Sequence, residues 1–323
     1  MRRNKREKFK VPTPFNILGD VPKDVFLAEY WQKKPLLVRG AIRNFEPPID
    51  ADELAGLALE DEVESRIVLE KDWQLHCGPF TENTFATLPE EKWTLLVQAV
   101  DLWVPEVAEL LNHFDFLPAW RIDDIMVSYA ADGGSVGPHF DYYDVFLLQG
   151  HGTRRWQIGG HCDADSPLVG NTELKILRDF KAQEEWILEP GDMLYLPPRI
   201  AHHGVAIGEC TTFSVGFRAP AASEMLDDFA TELLSGIAPP NHLQDPPLTL
   251  VMANENITPA HIAQVRNLLL ATLNNDKLLG EWFAQYMTRP KYPEFVEMTE
   301  EYRTAVLTSA NGADLRFTNG VKD

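Results

Sequence analysis

Cysteine is scarce in this chain: Cys77, Cys162 and Cys210 make an odd number with no paired spacing. No disulfide framework is legible, and reduced thiols in a cytoplasmic protein are the expectation. No apolar run approaches the roughly 20 residues that span a bilayer, and no secretory core follows the start. Neither a membrane span nor a signal segment is therefore expected. Basic residues are in deficit, 29 Lys and Arg against 49 Asp and Glu, for a net charge of −20. A chain so short of cationic surface is not expected to bind nucleic acid directly. Its field favours encounter with a basic partner, although acidity also serves solubility alone. Internal repeats are missing too. The one biased stretch is a basic start with Arg2, Arg3, Lys5, Arg6, Lys8 and Lys10, read as a poorly ordered tail over residues 1–12.

What is present suits folded cores. Hydrophobic residues make up 45% of 323, which excludes overall disorder and suggests two or three domains. The middle of the chain reads as strand after strand: Ile122 to Ala130, Val145 to Gln149, Thr153 to Ile158, Trp186 to Leu188, Met193 to Leu196 and Thr211 to Phe217. Glu189-Pro190-Gly191-Asp192 is a turn between two of them. Short strands punctuated by Gly and Pro, with no helix between them, indicate a sandwich or barrel.

Within these strands stands His139-Phe140-Asp141, with His202-His203 far beyond it. Two imidazoles and one carboxylate hold Fe(II) on one side and leave the other open, as in non-haem oxygenases. On a strand, His139 and Asp141 would share a face while Phe140 turned to the opposite layer. The long interval to the second histidine position requires strands to return, which suits a jelly roll. Pro197-Pro198 and an irregular segment precede the histidine pair, so alternation does not choose between His202 and His203. On the next strand Arg154 shares a face with Trp156 and Ile158, whereas Arg155 sides with Thr153 and Gln157. An arginine on the apolar face is costly unless it meets an anion.

Longer motifs surround these residues. Asp123-Asp124-Ile125-Met126-Val127-Ser128, Gly137-Pro138-His139-Phe140-Asp141, Tyr143-Asp144-Val145-Phe146 and Gln149-Gly150 resemble the bacterial ribosomal oxygenases. So do Arg155-Trp156, Glu189-Pro190-Gly191-Asp192 and Ser214-Val215-Gly216-Phe217-Arg218-Ala219-Pro220, together with Tyr30-Trp31-Gln32-Lys33-Lys34-Pro35-Leu36 and Trp93 to Val104. The resemblance runs from about Phe26 to Pro220. It implies a JmjC-type double-stranded β-helix of the jelly-roll or cupin kind in a mixed α+β chain. It also implies Fe(II), with 2-oxoglutarate and O2 as cosubstrates. The ligands it implies are His139, Asp141 and His202, the last four residues after the second proline of Leu196-Pro197-Pro198. Arg154 falls at the family's 2-oxoglutarate arginine. Thr212 and Ser214 share one face of the last strand and would donate further hydrogen bonds, with Met126 and Ser128 lining the pocket; the family often has Asn where Thr212 stands.

The implied reaction is hydroxylation of an arginine β-carbon in a basic large-subunit ribosomal protein (L-sixteen in bacteria), coupled to conversion of 2-oxoglutarate to succinate and CO2. Related members hydroxylate histidine, and that alternative stays open. A non-oxygenase cupin would show H-x-H and a following glutamate, where this chain has Asp141 and Asp144-Val145-Phe146. A non-enzymatic interaction module would tolerate loss of the triad, which is intact. His161-Cys162-Asp163, His76-Cys77 and His113 lack the partners of a second site.

The expected organisation is a catalytic domain over residues 1–220, a helical dimerisation domain over 221–288 and a winged-helix-like start over 289–323. On the family pattern that last domain would be cut short. Helices are expected at Asp24 to Lys33, Ala51 to Leu59, Val104 to Asn112, Ser223 (as cap) to Leu234, Thr258-Pro259 to Leu273, Asp276 to Met287 and Glu294 to Leu307. A further strand is expected at Asp314 to Phe317. Leu226, Phe229, Leu233 and Leu234 form one apolar stripe, and Ile262, Val265, Leu268, Leu269 and Leu273 another. So small a domain has little interior in which to bury both, and a homodimer, implied by the resemblance, would cover them.

Overall fold

Val145–Gln149 is buried at every position because its side chains enter two layers at once. Phe146 and Leu148 join an outer core, and Val145 and Leu147 an inner one. A strand with apolar neighbours on both faces reads as a continuous apolar run.

The structure, a computed structural model, describes residues 16–234, 242–247, 257–298, 303–308 and 314–322. The expected basic tail lies outside them. Contacts divide the chain into two compact units, one ending at Ala219 and the other containing Ala119–Arg121 and the chain from Pro220.

In the first unit the strands are β1 (Leu36–Val38), β2 (Ser65–Leu69), β3 (Gln74–Cys77), β4 (Trp93–Val97), β5 (Ile122–Ala130) and β6 (Val145–Gln149). They continue with β7 (Thr153–His161), β8 (Glu184–Leu188), β9 (Met193–Leu196), β10 (Ile200–Ile207) and β11 (Cys210–Phe217). The larger sheet runs β1-β9-β6-β11-β5-β4-β2-β3 and the smaller β10-β7-β8. Between them lies the inner core of Val145, Leu147, Trp156, Ile158, Leu188, Leu194 and Leu196. This is the expected double-stranded β-helix. The turn before β9 is tight because Gly191, at φ +85°, lies where a Cβ would come 2.1 Å from the Ile42 carbonyl.

The outer face of the larger sheet is covered by the N-terminal segment, with α1 (Lys23–Glu29), α2 (Ala51–Leu57), α3 (Glu82–Ala86), α4 (Val100–Trp103) and α5 (Pro105–Ala108). Phe146 is the hub there, 4.9 Å from Phe114 and 4.8 Å from Tyr195 between ring centres. Full burial of each such ring stabilises by roughly 1.5–3 kcal/mol. Two expected helices are shorter than their periodicity suggests. α1 stops at Glu29 because the chain turns at Gln32, φ +59°, whose N–H is donated to the Tyr195 hydroxyl. The segment from Pro105 tightens into a 3-10 helix over Glu109–Phe114.

The second unit contains α6 (Ala222–Glu232), α7 (Pro259–Leu273), α8 (Asp276–Thr288) and a three-stranded antiparallel sheet, β12 (Thr304–Thr308), β13 (Asp314–Thr318) and β14 (Val321–Lys322). Ser223 lies inside α6 rather than capping it. The cap is Ala221, whose N–H is held by the Glu224 carboxylate at 2.8 Å. The helix expected at Glu294 to Leu307 is also corrected, to a 3-10 helix over Pro293–Met298 and strand β12. Thr304, Val306 and Thr308 are β-branched and alternate, and β13 supplies the ladder that a helix reading omits. Trp282 and Phe229 form the buried centre of this unit, with ring centres 4.9 Å apart.

Candidate metal centre

Along β7, Arg154, Trp156 and Ile158 point between the sheets and are 6%, 5% and 3% exposed, while Arg155 and Gln157 are only partly buried. The facing strand β10 sets His202 opposite Ile158, Gly204 opposite Trp156 and Ala206 opposite Arg154. A register shift between Ile200 and His202 decides which histidine enters. His202 faces inward; His203 sits opposite Gln157 on the outer side, its ring 5.9 Å from Phe180.

His139 and Asp141 are brought together differently from the strand alternation expected of them. His139 forms an isolated antiparallel bridge with His202, donating its N–H to His202 O at 3.0 Å and accepting the reverse bond at 2.8 Å. No ladder extends from it. Pro138 has no N–H and its carbonyl accepts from Leu177, while the Asp141 carbonyl accepts the Arg199 N–H at 2.6 Å.

Asp141 Oδ2 lies 4.0 Å from His139 Nε2 and 3.6 Å from His202 Nε2. All three candidate ligand atoms fall within 4.8 Å of one another. Each imidazole has Nδ1 at 2.9 Å from a backbone carbonyl, Gly137 O for His139 and Ile200 O for His202. A carbonyl accepts only, so both rings carry their proton on Nδ1 and turn the Nε2 lone pair to the common centre. Burial, and then the neighbouring His139, push the His202 pKa down to about 4, so the ring is neutral near pH 7. Loss of solvent at the phenol tip, and then the adjacent Asp141 carboxylate, push the Tyr143 phenol up and keep it a hydroxyl, although the residue as a whole is 42% exposed. The donor set of two imidazoles and a carboxylate fits a divalent first-row metal, Fe(II) included.

Arg154 is buried on the inward face of β7. Its Nη1 stands 3.5 Å from Ser128 Oγ, while Nε and Nη2 have no hydrogen-bond partner among the described residues. A buried guanidinium with unmet donors is a cradle for a carboxylate. By register Thr212 pairs with Ser128 and Ser214 with Met126. The Thr212 hydroxyl is already turned to Gln149 Oε1 at 3.3 Å.

A model of the JmjC domain matches residues 109–225. The ribosomal protein uL16 3-hydroxylase of Escherichia coli is 38% identical over 275 residues, 83% of this chain and 71% of that protein. The chain belongs to the ribosomal oxygenase family. A probable ribosomal oxygenase of Haemophilus influenzae is 42% identical over 234 residues, covering 71% of this chain and 56% of its own length. Among solved structures of the family, YcfD from Escherichia coli in complex with cobalt and 2-oxoglutarate is similar at a TM-score of 0.80 and 33% identity. That similarity spans 94% of this chain and 86% of that one.

Three residues at the site are not picked out by sequence reasoning. Tyr143 and Gln149 were legible only as parts of motifs, Gln149 also as the end of a buried strand, and neither as a site residue. Gly204 is the third: a Cβ there would come 2.7 Å from the Trp156 ring, so this inward position opposite a tryptophan has to be glycine. Its pairing with Trp156 depends on the β10 register, which nothing local announces.

Proposed function

We propose that this ribosomal oxygenase is an Fe(II)- and 2-oxoglutarate-dependent hydroxylase of a basic large-subunit ribosomal protein, acting on an arginine β-carbon. The observation that carries the reading is the convergence of His139, Asp141 and His202 beside a buried arginine with free donors. In this reading the three side chains hold the iron, and Arg154 anchors the C5 carboxylate of 2-oxoglutarate. Ser128, Thr212, Ser214 and Met126 line the chamber. Iron with 2-oxoglutarate supplies oxygen activation, giving succinate, CO2 and a hydroxylated C–H position. The protein fixes the imidazole tautomers through the Gly137 and Ile200 carbonyls and holds the Arg154 guanidinium away from solvent. The 38% identity to a uL16 3-hydroxylase supports the substrate class, and the net charge of −20 suits a basic partner. The same charge opposes direct nucleic-acid binding. No helix among the described residues is long and apolar enough to cross a membrane, which accords with a cytoplasmic setting.

The helical part of the second unit, within residues 221–288, is inferred to pair two copies of the chain. α7 has no buried residue, and Ile262, Val265, Leu269 and Leu270 are all exposed. Residues 289–323, with the β12–β14 sheet, are inferred to belong to a winged-helix-like domain.

The test is incubation with Fe(II), 2-oxoglutarate and either an arginine-bearing or a histidine-bearing ribosomal peptide. Succinate release with a gain of one oxygen on the arginine peptide is expected. Oxidation of the histidine peptide alone would reassign the target, and no turnover with either would end the hydroxylase reading.

A further inference from the structure

Between Arg154 and the histidine pair of the centre stands Trp156. Its ring centre is 5.9 Å from that of His202, and the Arg154 guanidinium carbon lies 5.7 Å from the same ring. The six-membered ring of the indole packs against β10 where the bare Cα of Gly204 makes room for it. Its orientation is therefore set by packing. At 5% exposure, its Nε1–H has no hydrogen-bond partner among the described residues. Buried indole N–H groups ordinarily have a partner, so this one marks a missing acceptor. Arg154 Nε and Nη2, on the same inward face of β7, are likewise unpaired among the described residues. Three unmet donors on one strand face, all from positions 154 and 156, point to one anion.

We propose that Trp156 is a cosubstrate-binding residue whose indole N–H donates to the C5 carboxylate held by Arg154. The inference rests on the reading of the site as a 2-oxoglutarate pocket and adds to it a donor that fixes the position of that carboxylate. The stoichiometry allows it: an ionised carboxylate offers about four lone-pair sites, and a bidentate guanidinium occupies two. The indole lies near both His202 and Arg154, so a diacid that spans the two runs beside it. The N–H would then distinguish a five-carbon diacid, whose far carboxylate reaches it, from a shorter one.

Zn(II)-loaded protein binds without turning over and serves for the test. Trp156→Phe is expected to weaken 2-oxoglutarate binding, measured calorimetrically, by roughly ten- to a hundredfold, the range for a hydrogen bond to a charged group. Zn(II) affinity should stay unchanged. In wild-type protein with 15N-labelled indoles, one of the eight tryptophan N–H resonances should move downfield as 2-oxoglutarate is added. The same resonance should be missing from the Trp156→Phe spectrum. Arg154→Ala provides the control on the underlying reading. If it loses 2-oxoglutarate while Trp156→Phe binds as wild type, the pocket stands and the role of Trp156 is refuted. If Arg154→Ala also binds as wild type, the pocket itself is wrong. Should Trp156→Phe fail to fold, the wild-type titration decides alone, and eight unmoved indole resonances overturn the proposal.

Discussion

The Tyr195 hydroxyl donates a 2.6 Å hydrogen bond to Asp144, and both side chains are 0% exposed. The same hydroxyl accepts the Gln32 N–H at 2.8 Å, and Gln32 Nε2 reaches Asp144 at 3.1 Å. The N-terminal cover is thereby tied to the segment that carries Asp141. Tyr195→Phe takes a donor from a buried carboxylate and should cost about 1–3 kcal/mol of stability. Calorimetry would show a lower Tm, and an unchanged Tm would remove this network from the account.

His139→Ala and Asp141→Ala should each abolish hydroxylation at limiting iron and weaken metal binding strongly, with far-UV circular dichroism unaltered. His202→Ala should behave alike. His203→Ala, on the outer side of β10, should keep most of its activity. A reversal within the histidine pair would mean that the register placing His202 inward is wrong.

The two arginines of β7 should separate cleanly. Arg154→Ala leaves a carboxylate without its partner in a buried pocket, a loss of about 3–5 kcal/mol for a broken buried pair. The 2-oxoglutarate requirement should rise a hundredfold or more, read as KM against cosubstrate. Arg155→Ala should change it little. Equal effects would contradict the inward placement of Arg154.

For the inferred pairing of helical units, light scattering across a dilution series should give a dimer mass at micromolar concentration. Ile262→Glu with Leu269→Glu, both exposed on α7, should shift that mass to monomer. A wild-type monomer at the same concentration would rule the pairing out.

The depressed pKa of His202 has a sign that can be followed in metal-free protein. Folding holds the ring at about 4 against an ordinary 6.5, so the unfolded chain binds more protons between those values. Its neutral form therefore stabilises fully above pH 6.5, and that contribution is lost as pH falls towards 4. Thermal unfolding should show a wild-type Tm that drops over this range more steeply than that of His202→Asn. Parallel slopes would show that His202 is not held neutral by folding.

Local signals carried much of this fold. β5, β6 and β9 have the bounds that apolar runs and Gly/Pro punctuation suggest, and α7 begins at Pro259 as its Thr-Pro signal indicates. Arg154 was legible for the same reason, since alternation along one strand is a local property. The β2–β3 hairpin was not identified, because Ser65–Leu69 and Gln74–Cys77 are made strands by pairing with β4 and with each other. The choice between His202 and His203 needed a register shift that no composition reveals. His139 and Asp141 meet through backbone bonds to β10 and the segment before it, which exist only once the chain has folded.

The His139–His202 bridge closes the whole stretch from β6 to β9 into a loop of chain, and the candidate ligands sit at its neck. An ion seated there acts as a clasp on that loop, fastening its two ends side to side. Chelation should then speed amide exchange in β6 to β10 more than in the helices of the N-terminal cover, so the metal's influence on the fold should have a boundary that follows the chain path.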